Sequence, residues 1–382
     1  MAEANGKKGA ALRRARIHDI SAVLKNNVVL LVALAAAAIT CFFVPPDGAY
    51  AEYFDMRTLS CLFCTMAVVA ALKNVKFFTF TADRIVRKFK NTRNVVLALV
   101  FVTYVGSMVM ANDMALITFL PLGYFALGGC GQKKLMAFTF VMQNVAANLG
   151  GMLTPFGNPQ NLYLYSYYSI PAAEFFAIMA VPFLTAFALI AGVCFFVKKE
   201  PAEIVAAAPS APSAWRTAVY FALFALSVMI VFRVFPYYWG AAAVVASLIF
   251  LDYKAFAKVD YALLLTFCAF FVFSGNMARI PAVREFFSFL MGRSTLFFGV
   301  LSCQVISNVP SAVLLSKFTS DYASLLVAVN IGGLGTPVAS LASLITLSNF
   351  RQTGGSVKRY LGLFFLINVS FLAVLLAVSV LI

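Results

Sequence analysis

The sequence predicts an all-α polytopic membrane protein made of two inverted-topology repeats, each with a re-entrant helical hairpin and a discontinuous transmembrane helix. Three observations predict it. The chain is 63% hydrophobic and 11% charged, with a mean hydropathy of +0.92, whereas a soluble globular domain carries about 25% charge. Uncharged runs near or above the ~20 residues that cross ~30 Å of hydrocarbon recur along it. Finally, a polar, glycine- and proline-containing motif occurs twice: residues 148–155 read NLGGMLTP and residues 330–337 read NIGGLGTP, sharing N-x-G-G-x-x-T-P.

Spans are expected near 27–45 and 57–72, followed by a basic amphipathic stretch, 76–92. The long apolar block 94–132 is interrupted by a single charge, Asp113. As helix it would run roughly 58 Å, too long for one crossing, while its part beyond Asp113, to Leu127, is roughly 22 Å and too short to cross alone. A re-entrant hairpin with its tip at Ala111-Asn112-Asp113 fits both lengths. Non-helical backbone at membrane depth is tolerated where it is buried in protein or lines a cavity. The next segment, 135–168, carries the first copy of the motif, and a span at 172–197 ends the first half.

Residues 198–216, rich in Ala, Pro and Ser, read as a linker. A connecting span at 217–234 opens the second half, then spans near 238–251 and 260–276. An amphipathic stretch, 280–292, precedes a second hairpin, 294–320, with its tip at Ser307-Asn308. A broken segment, 322–348, and a span at 360–382 complete the order. The organisation is therefore a basic tail, 1–25, a first repeat, 26–197, the linker, a connecting helix, 217–235, and a second repeat, 236–382.

Charge fixes the orientation. The net charge of +15 is concentrated in short segments between apolar runs, the pattern of the positive-inside rule and not of a nucleic-acid partner. With both hairpins re-entrant, 23 of the 29 Lys and Arg residues fall on the cytoplasmic side. Making 297–316 a single crossing would instead put Arg351, Lys358 and Arg359 outside. This reading places the N-terminus inside and the C-terminus outside a cytoplasmic membrane. Lys7, Lys8, Arg13, Arg14 and Arg16 precede the apolar run 28–44, and AYA at 49–51 resembles a signal-peptidase site. The run exceeds the usual ~7–15 residues, so an uncleaved first helix is expected.

Catalytic chemistry finds little support. The seven cysteines fall mostly in apolar segments, Cys61-Leu-Phe-Cys64 reads as packing, and the one histidine, His18, lies in the basic tail. No HExxH, P-loop or GxSxG pattern occurs. The expectation is a protein that is not an enzyme and has neither cofactor nor bound metal.

The two broken segments carry the functional reading. The shared register continues from Asn158 to Ser340 and from Asn161 to Ser343, each pair 182 residues apart. Upstream, Asn112 pairs with Asn308. Matching discontinuous helices in two halves mark the binding site of a secondary transporter. Prolines such as Pro155 remove donors, and Gly150, Gly151, Gly332 and Gly333 permit unwinding. Freed carbonyls, with oxygens of Thr154, Asn158, Asn161, Ser340 and Ser343, suit a coupling cation, Na⁺ or H⁺. Half-helix N-termini suit an anion. Asn112, Ser307, Asn308, Thr154 and Thr336 are the candidate substrate ligands. Asp113 has two readings that both stand: a proton carrier or cation ligand, or a cap of the hairpin's second helix. Lys317 reads as snorkelling toward the outer interface.

ANDMALITFLP at 111–121, GGMLTPFGNPQN at 150–161 and SNVPSAVLL at 307–315 resemble the ion transporter superfamily. That group includes divalent-anion sodium symporters, citrate transporters and arsenite–antimonite permeases. The resemblance covers nearly the whole chain after residue 25. It implies cation-coupled transport of a small anion, a carboxylate such as citrate or an oxyanion, by alternating access, often elevator-like and often as a homodimer. The arsenite branch also implies a possible ATPase subunit, and an anion channel is the rival from another class. Sodium–dicarboxylate members carry Ser-Asn-Thr at both tips, whereas here Asn is kept and Thr is lost twice, closer to the arsenite-permease and citrate-type branches. The second segment reads TPVASLAS in place of TPxGxPxN, so a weaker or missing second cation site is expected.

Overall fold

A computed structural model describes residues 28–202 and 210–381. The basic tail 1–25, with His18 and its neighbouring cations, lies outside them, as do residues 203–209 of the linker. Among the described residues, regular structure is helical apart from one isolated β-bridge. Seven helices among the described residues are long and apolar enough to cross a membrane.

The chain divides into two compact units, residues 1–54 with 260–284 and residues 55–259 with 285–382. This division cuts across the two sequence repeats. In the first unit, α1 (Val28–Phe43) packs on a later helix, Tyr261–Arg279. The contact is apolar with one buried polar junction, where Asn276 Nδ2 donates to Tyr50 Oη at 2.8 Å and Thr40 Oγ1 at 3.2 Å. At the rim, Arg279 bridges Asp47 at 2.6 Å and holds its carboxyl below the usual range.

The second unit contains α2 (Met56–Asn74), started by Asp55, which accepts from Thr58 N at 3.0 Å. The short amphipathic α3 (Phe77–Val86) follows. The first hairpin is α4 (Thr92–Gly106) and α5 (Asn112–Gly129). Then come α6 (Met136–Gly150), α7 (Pro159–Tyr167) and α8 (Ala172–Phe195). The linker is not loose at its start: Thr92 N donates to Glu200 O and Ala202 N to Lys90 O. Lys134 bridges Glu200 at 3.0 Å.

After the linker, α9 (Ala214–Val231) begins three residues earlier than the sequence suggested, and α10 (Tyr237–Asp252) follows. The helix of the first unit is α11 (Tyr261–Arg279). Next, α12 (Pro281–Ile306) is continuous in outline but broken at Ser294, where φ is −169° and ψ 102°. Ser294 Oγ accepts from Phe297 N at 3.1 Å, so it caps a new helix at the predicted boundary between amphipathic stretch and hairpin arm. The second hairpin closes with α13 (Asn308–Leu315). The chain ends in α14 (Tyr322–Ile331), α15 (Leu341–Gln352) and α16 (Val357–Val380).

The two tips differ in backbone. Ala111 is extended, with φ −50°, while Ser307 has φ +74° and ψ 159°, a region that costs a non-glycine residue about 1–3 kcal/mol. Ser307 is held there by its own N–H on Cys303 O at 3.0 Å and its hydroxyl on Ala339 O at 3.2 Å.

Candidate functional site

Both broken helices lie in the second unit. The first unwinds after α6 through a 3₁₀ turn, Gly151–Leu153, and resumes at α7 with Pro159 in the first turn, where its missing N–H costs nothing. The second unwinds between α14 and α15 and resumes behind Ser340, whose Oγ accepts from Ala342 N at 3.3 Å. Close approach requires the glycines here. A Cβ on Gly150 would collide with Tyr104 O, and one on Gly151 with Asn158 Oδ1. Gly335 has φ +101°.

Unwinding turns carbonyls away from helical partners, and each must find another donor. In the first segment Gly151 O, Met152 O and Thr154 O all accept from Asn161 Nδ2 at 3.2 Å. In the second, Gly332 O and Leu334 O accept from Gln304 Nε2, at 2.9 and 3.0 Å. The counterpart of Asn161 is Ser343, too short for this task. A carboxamide from the hairpin arm takes its place.

The hairpins are fastened to the segments at equivalent points. Thr154 Oγ1 donates to Met108 O at 2.7 Å, and Thr336 Oγ1 donates to Gln304 O at 3.2 Å. Met108 and Gln304 stand four residues before Asn112 and Asn308, so the same two positions meet in both halves. Both threonine hydroxyls expected to contact substrate therefore hold the hairpins.

The tip asparagines also match. Asn112 Oδ1 accepts from Asp113 N at 3.0 Å, and Asn308 Oδ1 accepts from Val309 N at 2.9 Å. Each oxygen is thereby fixed on its own helix, and each Nδ2 points elsewhere. Asn112 Nδ2 reaches Asn148 Oδ1 at 3.2 Å and Ser340 Oγ at 3.5 Å. Asn308 Nδ2 makes no hydrogen bond to a described residue; a Cβ on Gly333 would lie 3.1 Å from it and 3.3 Å from Asn148 Oδ1. The two tips and both unwound segments therefore converge around Gly333 and Asn148. Asn112 and Asn308 are buried.

The broken helices also fasten each other. Asn330 Nδ2 donates to Asn161 Oδ1 at 2.6 Å, and Asn158 Nδ2 to Asn330 Oδ1 at 3.5 Å. In the reverse direction Asn144 Nδ2 reaches Ser343 Oγ at 3.3 Å. Asn158 Oδ1 is buried with no hydrogen-bond donor among the described residues, and Pro155 lies in the same unwound stretch. Asp113 occupies the first turn of α5, favourable for a carboxylate at a helix N-terminus. Lys73 Nζ lies 4.0 Å from Met114 Sδ, next to that tip. Lys317 does not extend freely: its ammonium sits 4.4 Å over the Tyr167 ring.

Of the expected residues, Asn112, Asn158, Asn161, Asn308, Ser340 and Ser343 are buried carboxamides and hydroxyls, while Asp113, Thr154, Ser307 and Thr336 are half-buried. Sequence reasoning omitted Asn144, Asn148, Asn330 and Gln304. Asn148 and Asn330 open the shared motif and were legible there; Asn144 lies one turn before Asn148 on the same helix face. Gln304 breaks the symmetry, since its counterpart is Met108, and symmetry alone could not find it. Among the described residues no group of three or more His, Cys, Asp or Glu side chains could hold a metal ion.

A profile described as citrate transporter matches residues 20–328. The chain is 33% identical over 320 residues to an uncharacterised transporter of Methanocaldococcus jannaschii, covering 82% of this chain and 85% of that protein. It is 28% identical over 319 residues to the inner membrane protein YbiR of Escherichia coli, covering 80% and 83%. The silicon efflux transporter LSI3 of Oryza sativa subsp. japonica is 31% identical over 135 residues, 35% of this chain and 27% of LSI3. The crystal structure of the YdaH transporter of Alcanivorax borkumensis, described as having an unusual topology, matches with a TM-score of 0.50 at 11% identity, covering 92% and 96%. That likeness concerns the fold.

Proposed function

Because the chain belongs to the citrate transporter family and is a membrane transporter, we propose that it moves a small anion, a carboxylate such as citrate or an oxyanion, by cation-coupled alternating access. One observation carries the reading: both tip asparagines fix Oδ1 on the next backbone N–H, so each turns Nδ2 toward Gly333 and Asn148. Asn308 Nδ2 lacks an acceptor among the described residues, and Asn112 Nδ2 is held by Asn148 Oδ1 and Ser340 Oγ. An anion entering near Gly333 would take a hydrogen bond from Asn308 Nδ2 directly and from Asn112 Nδ2 by displacing Asn148 Oδ1 or Ser340 Oγ, beside the partial positive charge at the N-termini of α5 and α13.

The coupling ion, Na⁺ or H⁺, is assigned to the first broken segment. Asn158 Oδ1 is a buried acceptor without a donor among the described residues, and desolvated oxygens of that kind suit a hard cation. A cation that used the carbonyls of Gly151, Met152 and Thr154 would displace Asn161 Nδ2, so binding there would move α7. Asp113 is the group on which proton coupling would act. In the second segment Gln304 holds the corresponding carbonyls, and the serines at 340 and 343 offer less. The stronger cation site is therefore placed in the first repeat, with the second repeat inverted relative to it in a cytoplasmic membrane, N-terminus inside. A homodimer is the proposed assembly.

A second reading is efflux of an undissociated oxyacid. The cluster of carboxamides and hydroxyls, and the partial likeness to a silicon efflux transporter, favour it. Proteoliposomes given citrate, smaller carboxylates, arsenite and silicic acid under separate Na⁺ and H⁺ gradients distinguish the two. Gradient-driven citrate or carboxylate uptake that Asn112→Ala and Asn308→Ala each abolish supports the first. Transport of silicic acid or arsenite alone supports the second. Equal uptake by both variants and the parent would remove the tips from the site.

A further inference from the structure

An apolar groove of about 650 Å³ runs between α3, the α4 arm of the first hairpin and Phe221 of α9. Ile85, Phe89, Leu97, Phe101 and Val105 line it, and Thr81 and Asn94 are its only polar side chains. A water-soluble anion would find no partner there. The lining follows α4 from Asn94 to Gly106, about 18 Å of helix. That length is close to one leaflet, half of the ~30 Å hydrocarbon core.

Cations stand at one end. Arg84, Lys88 and Lys90 are exposed and alternate with the lining residues Ile85 and Phe89. None of the three is in a salt bridge with a described residue; the nearby Asp83 is held by Arg87 at 2.6 Å. Arg93 is engaged, donating to Val197 O at 2.8 Å. The groove therefore joins an apolar trough of leaflet length to three positive charges that no described carboxylate neutralises, as anionic lipid requires. At the other end the hairpin arms are in close contact, since a Cβ on Gly106 would collide with the Phe119 ring.

We propose that this groove is a binding site for one anionic phospholipid, its acyl chain along α4 and its headgroup on Arg84, Lys88 and Lys90. The chain wedges α3 against the hairpin that carries Asn112, so the site ties the hairpin's seating to the charge of the membrane. It is independent of what the transporter carries.

The test uses the full chain reconstituted in equal phosphatidylglycerol and phosphatidylcholine, extracted gently and weighed intact by native mass spectrometry. One retained phospholipid per chain is expected, with phosphatidylglycerol enriched at least about fivefold, the worth of a single well-placed cation. Replacing the three cations together (Arg84→Gln, Lys88→Gln, Lys90→Gln) should bring the enrichment near unity. Val102→Trp, which fills the trough, should remove the retained lipid altogether. Retention in proportion to supply by the parent protein would overturn the proposal, as would undiminished enrichment in the charge variant. The charge variant alters exposed positions only, so it decides the matter even if Val102→Trp does not fold.

Discussion

Replacing Asn330 by Leu tests whether the two broken helices are held together unequally. Asn330 donates to Asn161 Oδ1 at 2.6 Å and accepts from Asn158 Nδ2 at 3.5 Å. All three side chains are buried. Leucine would leave Asn161 Oδ1 without its donor, and a buried acceptor so stranded costs about 1–3 kcal/mol. The longer bond to Asn158 adds less, so the expected destabilisation is about 2–4 kcal/mol. The opposite latch is weaker. Asn144→Leu removes a 3.3 Å bond to Ser343 Oγ, a 3.4 Å bond from Thr346 Oγ1 and a 3.5 Å bond from Asn148 Nδ2. Thr346 keeps its bond to Ala342 O at 2.9 Å, and Asn148 Nδ2 keeps Asn144 O at 3.0 Å. That variant should therefore lose about 0.5–1.5 kcal/mol. Reversible denaturant unfolding in mixed micelles measures both. Asn161→Leu combined with Asn330→Leu should show a coupling of about 1–3 kcal/mol. Equal costs for Asn144→Leu and Asn330→Leu, within about 0.5 kcal/mol, would refute the unequal latch.

Asp113→Asn should preserve Na⁺-driven uptake and abolish proton-driven uptake; survival of both would remove Asp113 from coupling. Gly335→Ala should cost about 2–4 kcal/mol, because φ is +101° and the new Cβ would collide with Gln304 Oε1. Gly192→Ala, a helical glycine with nothing near its would-be Cβ, should instead gain up to about 1 kcal/mol; the reverse order in unfolding would count against the geometry. Lys134 and Gln132 hold the Glu200 carboxyl below its ordinary value of 4.5. Since the folded form binds its proton less readily, the contribution is complete above that value and is lost as pH falls below it. Amide exchange at Thr92 and Ala202, corrected for intrinsic rate, should stay flat down to about pH 5 and accelerate below it; acceleration near pH 6 would contradict the assignment.

Much of this architecture was legible because membrane chemistry leaves few options. A 39-residue apolar block around Asp113 could not be one crossing, and the helix is broken between α4 and α5 at residues 107–111, just before it. Charge favoured a re-entrant second hairpin over a single crossing at 297–316, and the boundary read between its amphipathic lead, 280–292, and the hairpin falls where Ser294 breaks the helix. The repeat was written in glycines, prolines and asparagines at fixed spacing, because unwinding a helix demands those residue types. What the sequence concealed was partnership. Thr154 and Thr336 were read as ligands because hydroxyls beside an unwound segment suggest it, yet the hairpin carbonyls are their acceptors. The pinned start of the linker depends on Lys90, Thr92 and Lys134, more than sixty residues away in the chain.

Gln304 shows how such a partner can be recovered from a defect in symmetry. The change of Asn161 to Ser343 reads, in isolation, as a loss: a cation ligand shortened in the second repeat. In the fold it is one half of an exchange, because Gln304 stands where the first repeat has Met108 and its carboxamide holds Gly332 O and Leu334 O. The exchange has a mechanical consequence. In the first repeat the carboxamide belongs to α7, so unwound segment and resumed helix are tied together. In the second it belongs to the hairpin arm, so the unwound segment is tied to the hairpin instead. Gln304→Met should therefore destabilise the second segment by about 2–4 kcal/mol, stranding two carbonyls and the Thr336 N–H that Gln304 Oε1 accepts at 2.9 Å. Adding Ser343→Asn returns a carboxamide to the position it holds in the first repeat and should recover part of that loss. If unfolding shows no recovery while Ser343→Asn alone is harmless, the two positions do not share a task, and the equivalence drawn between the segments fails at this point.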